Sequence, residues 1–345
     1  MSKQTVFLSG ATGYIAQHIL GQLLESGDYK VVGSVRSQEK ADALKANFQN
    51  NKDLSFVFVD DIAKEDAFDD AFQKHGAELD YILHTASPFT FEIKDTEKDL
   101  IIPAINGTKS IVKAAVKYAP NVKKFVVTSS YAAVASPSAD YIKSNTLTEE
   151  SWNDQPLEEA VKSPIDSYYY SKTAAEKTAW DLHKSLNAKF KVTSINPVFV
   201  FGPQQFDSSV TKKLNTSCEL INGIVHSQLD DPVSNDMRGA FIDVRDVAKA
   251  QVAAITNDNL DGHRLILSEG RFSLQSIADI INKKYPQLKG KIARGVPGSD
   301  KEAIDSLATL DNHVTKELLG FKFIGLTESV MDTVNQILKV EAAKN

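Results

Sequence analysis

Cysteine is almost missing from this chain. One thiol, Cys218, stands among 345 residues. No disulfide can close within the chain, and that usage suits a reducing compartment. Basic runs are missing as well. Lys and Arg number 39 against 45 Asp and Glu, for a net charge of -6. Phosphate binding needs clustered cations, so nucleic acid is not expected as a partner. No apolar stretch approaches the roughly 18–20 residues of a membrane span. The chain runs directly into Thr5-Val6-Phe7-Leu8, with no basic leader region or cleavage site. No second histidine sits at metal-ligand spacing from His84, so no metal is expected. These absences predict a cytoplasmic protein. The hydrophobic share, 42%, is enough for a large core in one big domain or two smaller ones.

What is present begins with a strand-like run, Thr5 to Ser9, followed by Gly10-Ala11-Thr12-Gly13-Tyr14-Ile15-Ala16. Ile15, Ile19, Leu20, Leu23 and Leu24 then recur at helical spacing. Strand, glycine turn and helix are the context in which a dinucleotide turn is credible. Gly10 permits the tight turn. Gly13 lets backbone approach a pyrophosphate at the helix N-terminus, where free N–H groups attract anions. Ala16 is small enough for close helix–strand packing. The pattern is G-x-x-G-x-x-A rather than G-x-G-x-x-G, so an ordinary turn remains the alternative. The next strand, Lys30 to Arg36, ends in a cation where an NAD site usually has Asp or Glu. Arg36 and Lys40, one helical turn on, are placed to meet a 2′-phosphate. Ser37 is a candidate cap for the helix that follows.

Further strands read at Leu54–Val59, Tyr81–Ser87, Lys124–Tyr131 and Lys191–Asn196. Asp61 either accepts from an adenine amino group or, with Asp60, caps a helix starting near Lys64. His84 reads as a satisfied histidine at a strand end rather than a general base. A long helix is predicted over 97–118, with Pro103 kinking it or marking its true start. Asn106-Gly107 in its middle is poor for helix propensity. Such a local conflict marks a functional position, and Asn106 is expected to hold a water or a backbone carbonyl near the active site. Ser129 and Ser130 end a strand on the ligand edge. Either could hold a substrate oxygen or merely satisfy backbone groups. Residues 137–164 read as an irregular surface excursion. Asp243, Arg245 and Asp246 read as structural, docking the connection from the second lobe and capping a helix over Val247–Ile255.

The stretch Ser167-Tyr168-Tyr169-Tyr170-Ser171-Lys172 carries the chemistry. Residues four apart share a helix face, so Tyr168 and Lys172 point the same way. An ammonium beside a phenol favours phenolate and lowers the tyrosine pKa. Such a pair can give a proton to a forming alkoxide. Tyr169 and Tyr170 project to other faces. Alone, this spacing arises by chance, and packing is the rival reading.

Taken together, these residues resemble the extended short-chain dehydrogenase/reductase superfamily, and within it the dihydroflavonol-reductase-like branch. The glycine turn, the Ser130 strand end, Tyr168-x-x-x-Lys172, Asn196-Pro197-Val198 and Phe241-Ile242-Asp243-Val244-Arg245-Asp246-Val247-Ala248 occur in that family's order. The resemblance implies Tyr168 as general acid, Lys172 as its modulator and holder of the nicotinamide ribose, Ser130 as holder of the carbonyl oxygen, and Asn106 on the helix behind them. It implies NADP(H) contacts from Gly10, Thr12, Gly13, Tyr14, Ile15, Arg36, Lys40, Asp61, Ile62, Thr85, Ala86, Ser87, Thr128, Tyr168, Lys172, Pro197 and Val198. Phe89, Ser130, Tyr131 and Phe199 would line the substrate pocket.

The implied fold is α/β, a Rossmann-type doubly wound parallel sheet with a smaller C-terminal α/β substrate lobe. Residues 1–198 and 239–268 would form the NADP-binding domain, and 199–238 with 269–345 the lobe. Helices of the lobe are expected at Leu274–Tyr285 and Leu326–Leu338. The implied activity is NADPH-dependent reduction of aldehydes and ketones, in a monomer or homodimer with a small carbonyl substrate as partner. An NAD-dependent nucleotide-sugar epimerase or dehydratase, or a non-catalytic dinucleotide sensor, is the alternative. The substrate, the stereochemistry and the oligomeric state are not legible.

Overall fold

The structure, a computed structural model, describes residues 2–87 and 95–344. Its first half alternates strand and helix: β1 (Gln4–Ser9), α1 (Tyr14–Ser26), β2 (Tyr29–Val35), α2 (Gln38–Asn47), β3 (Leu54–Phe58), α3 (Asp69–His75), β4 (Tyr81–His84), α4 (Ile102–Tyr118) and β5 (Lys124–Thr128). A short strand β6 (Thr146–Leu147), a one-turn helix α5 (Leu157–Ala160) and the long α6 (Pro164–Ser185) lead to β7 (Lys191–Pro197). Then come β8 (Phe199–Phe201), α7 (Thr216–Val225), β9 (Arg238–Asp243), α8 (Val244–Thr256), β10 (Arg264–Leu267) and β11 (Gly270–Ser273). The chain closes with α9 (Leu274–Lys284), α10 (Lys301–Asp305), β12 (Thr309–Leu310), α11 (His313–Leu319) and α12 (Leu326–Ala342).

Among the described residues, seven strands form one sheet in the order β10-β7-β5-β4-β1-β2-β3. Every neighbouring pair is parallel. This is the Rossmann-type sheet. Side chains alternate across a strand, and β1 shows the result. Val6 and Leu8 enter one buried cluster, while Phe7 enters the cluster on the opposite face. A strand buried on both faces needs near-continuous apolar sequence, as in Val6-Phe7-Leu8. The order reverses between β1 and β4, which opens a crevice at their C-terminal ends.

The helix expected over 97–118 is present. It opens with a π-helical turn, Glu97–Ile101, and Pro103 lies in the first turn of α4. The π-helical turn just before it is wider than an α turn and accommodates a ring that cannot donate to the carbonyl one turn back. The helices expected near Leu274 and Leu326 are α9 and α12. The excursion after β5 is less irregular than its composition suggests, because β6 pairs in parallel with β12.

A second sheet has the order β11-β9-β8. It is backed by a third cluster that includes Phe201, Cys218, Phe241, Phe272, Ile277, Val330 and Val334. Residues 239–243, expected with the larger unit, pair in this smaller sheet, and the chain rejoins the main sheet through α8 and β10. Asp243 caps α8, accepting from Arg245 N at 2.9 Å. The helix therefore starts at Val244, three residues earlier than expected. The Arg245 guanidinium bridges Asp243 and, at 2.7 Å, Asp332 of α12. Asp246 accepts from Ile324 N at 2.7 Å. The three charged residues hold elements together, as their structural reading requires.

Phe7 meets Phe72 edge-on at 4.7 Å and Phe68 at 6.1 Å, fully buried. Phe7→Ala should cost about 3–5 kcal/mol through lost burial and a residual cavity. Urea unfolding monitored by circular dichroism checks this; a loss under about 1 kcal/mol would mean that this face of the sheet can collapse around the gap.

Candidate active site

The crevice begins at the turn after β1. Gly10 has φ +66°, a conformation that favours glycine, and a Cβ there would lie 3.0 Å from Ala86 Cα. The turn is fixed by Gly10 N donating to Ser34 Oγ and Ala11 N to Ser34 O, both at 2.9 Å. Gly13 N donates back to Gly10 O at 2.9 Å. The first turn of α1 carries no acidic residue and no side-chain cap. Its N–H groups and dipole are thus left to an external anion. Tyr14, expected at this contact, turns its phenol away. It donates to Gly202 O at 2.8 Å, ties α1 to the loop after β8, and burial pushes its pKa up. Thr12 and Ile15 remain beside the turn.

Under the turn, Ser9 organises the end of β4. Its hydroxyl accepts from Thr85 N and Ala86 N, each at 3.0 Å. Its one proton is left to donate to His84 Nδ1 at 2.8 Å. The Thr85 hydroxyl donates to Ser9 O. His84 is buried and satisfied, as expected. Burial, then the nearby Lys172, pushes its pKa down to about 3. Ser87 continues the loop, and Phe89 lies outside the described residues.

Arg36 and Lys40 are exposed beyond β2, and neither makes an ion pair among the described residues. Ser37 caps α2, accepting from Lys40 N at 3.4 Å. Asp61 does not cap a helix, since α3 begins only at Asp69; its Oδ1 accepts from Ala63 N at 2.9 Å within the loop. Asn106 is committed to that same loop. Its amide donates to Ala63 O at 3.2 Å, and the adjacent Gly107 packs beside Ile62. The propensity conflict thus marks a residue that holds a backbone carbonyl, one of the two partners expected for it.

Ser130, Tyr168 and Lys172 do come together. Ser163 caps α6, accepting from Asp166 N at 3.1 Å, with Pro164 in its first turn. The helix then presents Tyr168 and Lys172 to the end of β5. The Tyr168 phenol and Ser130 hydroxyl are within hydrogen-bonding contact. Ser130 Oγ also accepts from Ala132 N at 3.1 Å, which fixes its rotamer. Lys172 Nζ lies 5.8 Å from the Tyr168 ring centroid. The expected lowering of the Tyr168 pKa does not occur. Burial raises it, and the hydrogen bond from Ser130 only partly opposes that. Burial also acts on the partner, pushing Lys172 down to about 8. Desolvation of both groups outweighs their mutual attraction at this separation.

The other expected residues surround this centre unequally. Thr128 Oγ1 accepts from Gln251 Nε2 of α8 at 2.6 Å. Val198 N donates to Leu267 O at 3.3 Å, so that N–H beside Pro197 serves the sheet. Tyr131 is buried, its phenol donating to Asp140 Oδ1 at 2.7 Å; it offers a ring wall rather than a free hydroxyl. Phe199 packs edge-on against Phe272 at 5.1 Å, largely within the smaller sheet's core. Glu176 was not legible as a site residue. It lies four residues beyond Lys172 on the same face, fully buried, and pairs with Arg264 at 2.6 Å. The repeated spacing of four was its one available signal.

The sequence matches the NAD dependent epimerase/dehydratase family over residues 6–267. It is 50% identical to the NADPH-dependent methylglyoxal reductase of Saccharomyces cerevisiae, covering 98% of this chain and 99% of that one. A putative NADPH-dependent methylglyoxal reductase of Candida albicans is 46% identical over 98% and 99% of the two chains. The crystal structure of the yeast methylglyoxal/isovaleraldehyde reductase complexed with NADPH superimposes with a TM-score of 0.95 at 50% identity, covering 98% of this chain and 99% of that one.

His84 gives this site a pH signature. It protonates near 6.5 when unfolded and near 3 when folded. As pH falls below the unfolded value, the unfolded chain takes up the extra proton and stability drops. Between about pH 7 and pH 5 the wild type should lose more unfolding free energy than His84→Gln, measured by urea titration. Equal losses would show that His84 titrates freely in the fold.

Proposed function

This chain belongs to the NAD dependent epimerase/dehydratase family, and from that premise we propose that it is an NADPH-dependent carbonyl reductase of small aldehydes and ketones. The observation that carries the reading is the meeting of Tyr168 and Ser130, with Lys172 on the same helix face, at the C-terminal edge of the parallel sheet. Methylglyoxal and isovaleraldehyde, named for the relatives, are small aldehydes of the class proposed. We place it in the cytoplasm, since one cysteine leaves no disulfide within the chain that would need an oxidising compartment.

The crevice fits NADPH. Gly10 leaves no room for a side chain against Ala86, and the uncapped start of α1 suits the pyrophosphate. Arg36 and Lys40 would hold the 2′-phosphate, Asp61 and Ile62 would flank adenine, and Thr85 to Ser87, Thr128, Pro197 and Val198 would line the nicotinamide half. The NAD-type alternative calls for an acid at the end of β2, where this chain has Arg36. When bound, NADPH supplies hydride to the carbonyl carbon.

The chain supplies position and the proton. The Ser130 hydroxyl holds the carbonyl oxygen and favours the charge that develops there. Tyr168 donates its phenolic proton to that oxygen. A pKa raised by burial keeps the phenol protonated at neutral pH, the form a reduction requires. Lys172, at about 8, is mostly charged at neutral pH. It favours phenolate as the proton leaves and would hold the ribose hydroxyls. Tyr131 and Phe199 would wall the substrate.

Tyr168→Phe should lower kcat by roughly 10²–10⁴ with NADPH affinity nearly intact. NADPH oxidation at saturating aldehyde, with cofactor titration by fluorescence, measures both; unchanged turnover would sink the assignment. Arg36→Ala removes a charge-assisted hydrogen bond worth about 1.5–3 kcal/mol, so KM for NADPH should rise about tenfold or more while KM for NADH stays level. Equal shifts for both cofactors would refute the 2′-phosphate role.

A further inference from the structure

The turn that carries Ser130 is held from behind by side chains. Ser130 O accepts from Asn196 Nδ2 at 3.1 Å. Ala132 O accepts from Asn153 Nδ2 at 3.1 Å, and Ala133 O from Arg264 Nη2 at 3.2 Å. Two of these donors converge on one carboxylate. Glu176 Oε2 accepts from Asn196 Nδ2 at 2.7 Å, and Glu176 Oε1 from Arg264 Nε at 2.6 Å. Ser129, the residue before Ser130, also donates to Glu176 Oε2, at 2.5 Å. The Glu176 side chain is fully buried, and the Arg264 side chain keeps 9% of its surface.

A buried ion pair is a poor source of stability, because desolvation offsets most of its attraction. The directions of these bonds suggest another use. Glu176 stands two helical turns beyond Tyr168 on α6, and its partners Asn196 and Arg264 grip the backbone at Ser130 itself and at Ala133. The same carboxylate thus ties the tyrosine helix to the serine turn. We propose that Glu176 is a positioning residue which, through Asn196 and Arg264, sets the Ser130 hydroxyl against Tyr168. This rests on the reading of Ser130 as the group that holds the substrate oxygen.

The test uses the full-length protein with NADPH and methylglyoxal. Glu176→Gln, Asn196→Ala and Ser130→Ala are compared singly, and each of the first two is combined with Ser130→Ala. The single changes at 176 and 196 should lower kcat about 10- to 100-fold and leave KM for NADPH level. Added to Ser130→Ala, each should cost no more than about twofold, because all act through one hydroxyl. Asn196→Ala leaves the Glu176–Arg264 pair in place, so it decides the matter if Glu176→Gln does not fold. Losses that multiply with Ser130→Ala, or unchanged kcat in folded single variants, would overturn the proposal alone. A wild type with no turnover of any small aldehyde would overturn the reductase reading and this proposal with it.

Discussion

The constraint on which the rest depends is that all strands of the main sheet run the same way. Parallel strands deliver their C-terminal ends to one edge, and chain order reverses at β1 and β4. Gly10, the Thr85–Ser87 loop, Thr128 with Ser130, and Pro197 stand at the ends of four different strands, yet they arrive on that edge together. Burial on both faces demands apolar strands, so the polar groups that the sheet brings to the site gather at the last residues of each strand and just past them. The loop after β4 shows how tight this becomes. It sits so close to the β1 turn that Gly10 has no space for a Cβ.

Desolvation then decides the charges at this edge. Three titratable groups crowd together, and burial moves each toward its neutral form: Tyr168 upward, Lys172 to about 8 and His84 to about 3. At neutral pH only Lys172 carries charge. Ser9 contributes by accepting two backbone N–H groups and donating to His84 Nδ1, which leaves the histidine a neutral acceptor there. A second cation beside Lys172 is thereby avoided, and its field remains available to the phenol.

Much of the fold was legible because periodicity reports burial. The apolar run of β1 and the spacing of Leu274, Ile277 and Ile281 correspond to the elements observed. The start of α8 and the partners of β9 were not legible, since strand pairing across long sequence separations leaves no local pattern. At the site, the spacing of four located Tyr168 and Lys172 beside Ser130. It could not give the direction of the Tyr168 pKa, because spacing shows proximity and not desolvation. Asn106 illustrates the converse. Its poor helix propensity correctly marked a specific job, but only the tertiary structure shows that the job is holding Ala63 O. Glu176 escaped notice because a glutamate on a helix reads as surface until a buried arginine is placed opposite.

The two sheets are threaded through each other. Strands β8 and β9 leave for the smaller sheet, α8 and β10 return to the larger, and β11 departs again. This ordering sets a timetable for synthesis. A nascent chain that has emerged only as far as β9 already holds most of the larger sheet, but β7 is then an outer strand with unpaired backbone groups. Such an edge invites pairing with a foreign strand. The smaller sheet is still short of β11, and Arg245 has not met Asp332. The larger sheet closes only when β10 arrives, and the smaller unit only when β11 and α12 follow, so the protein's exposure to misassembly lasts into its final third.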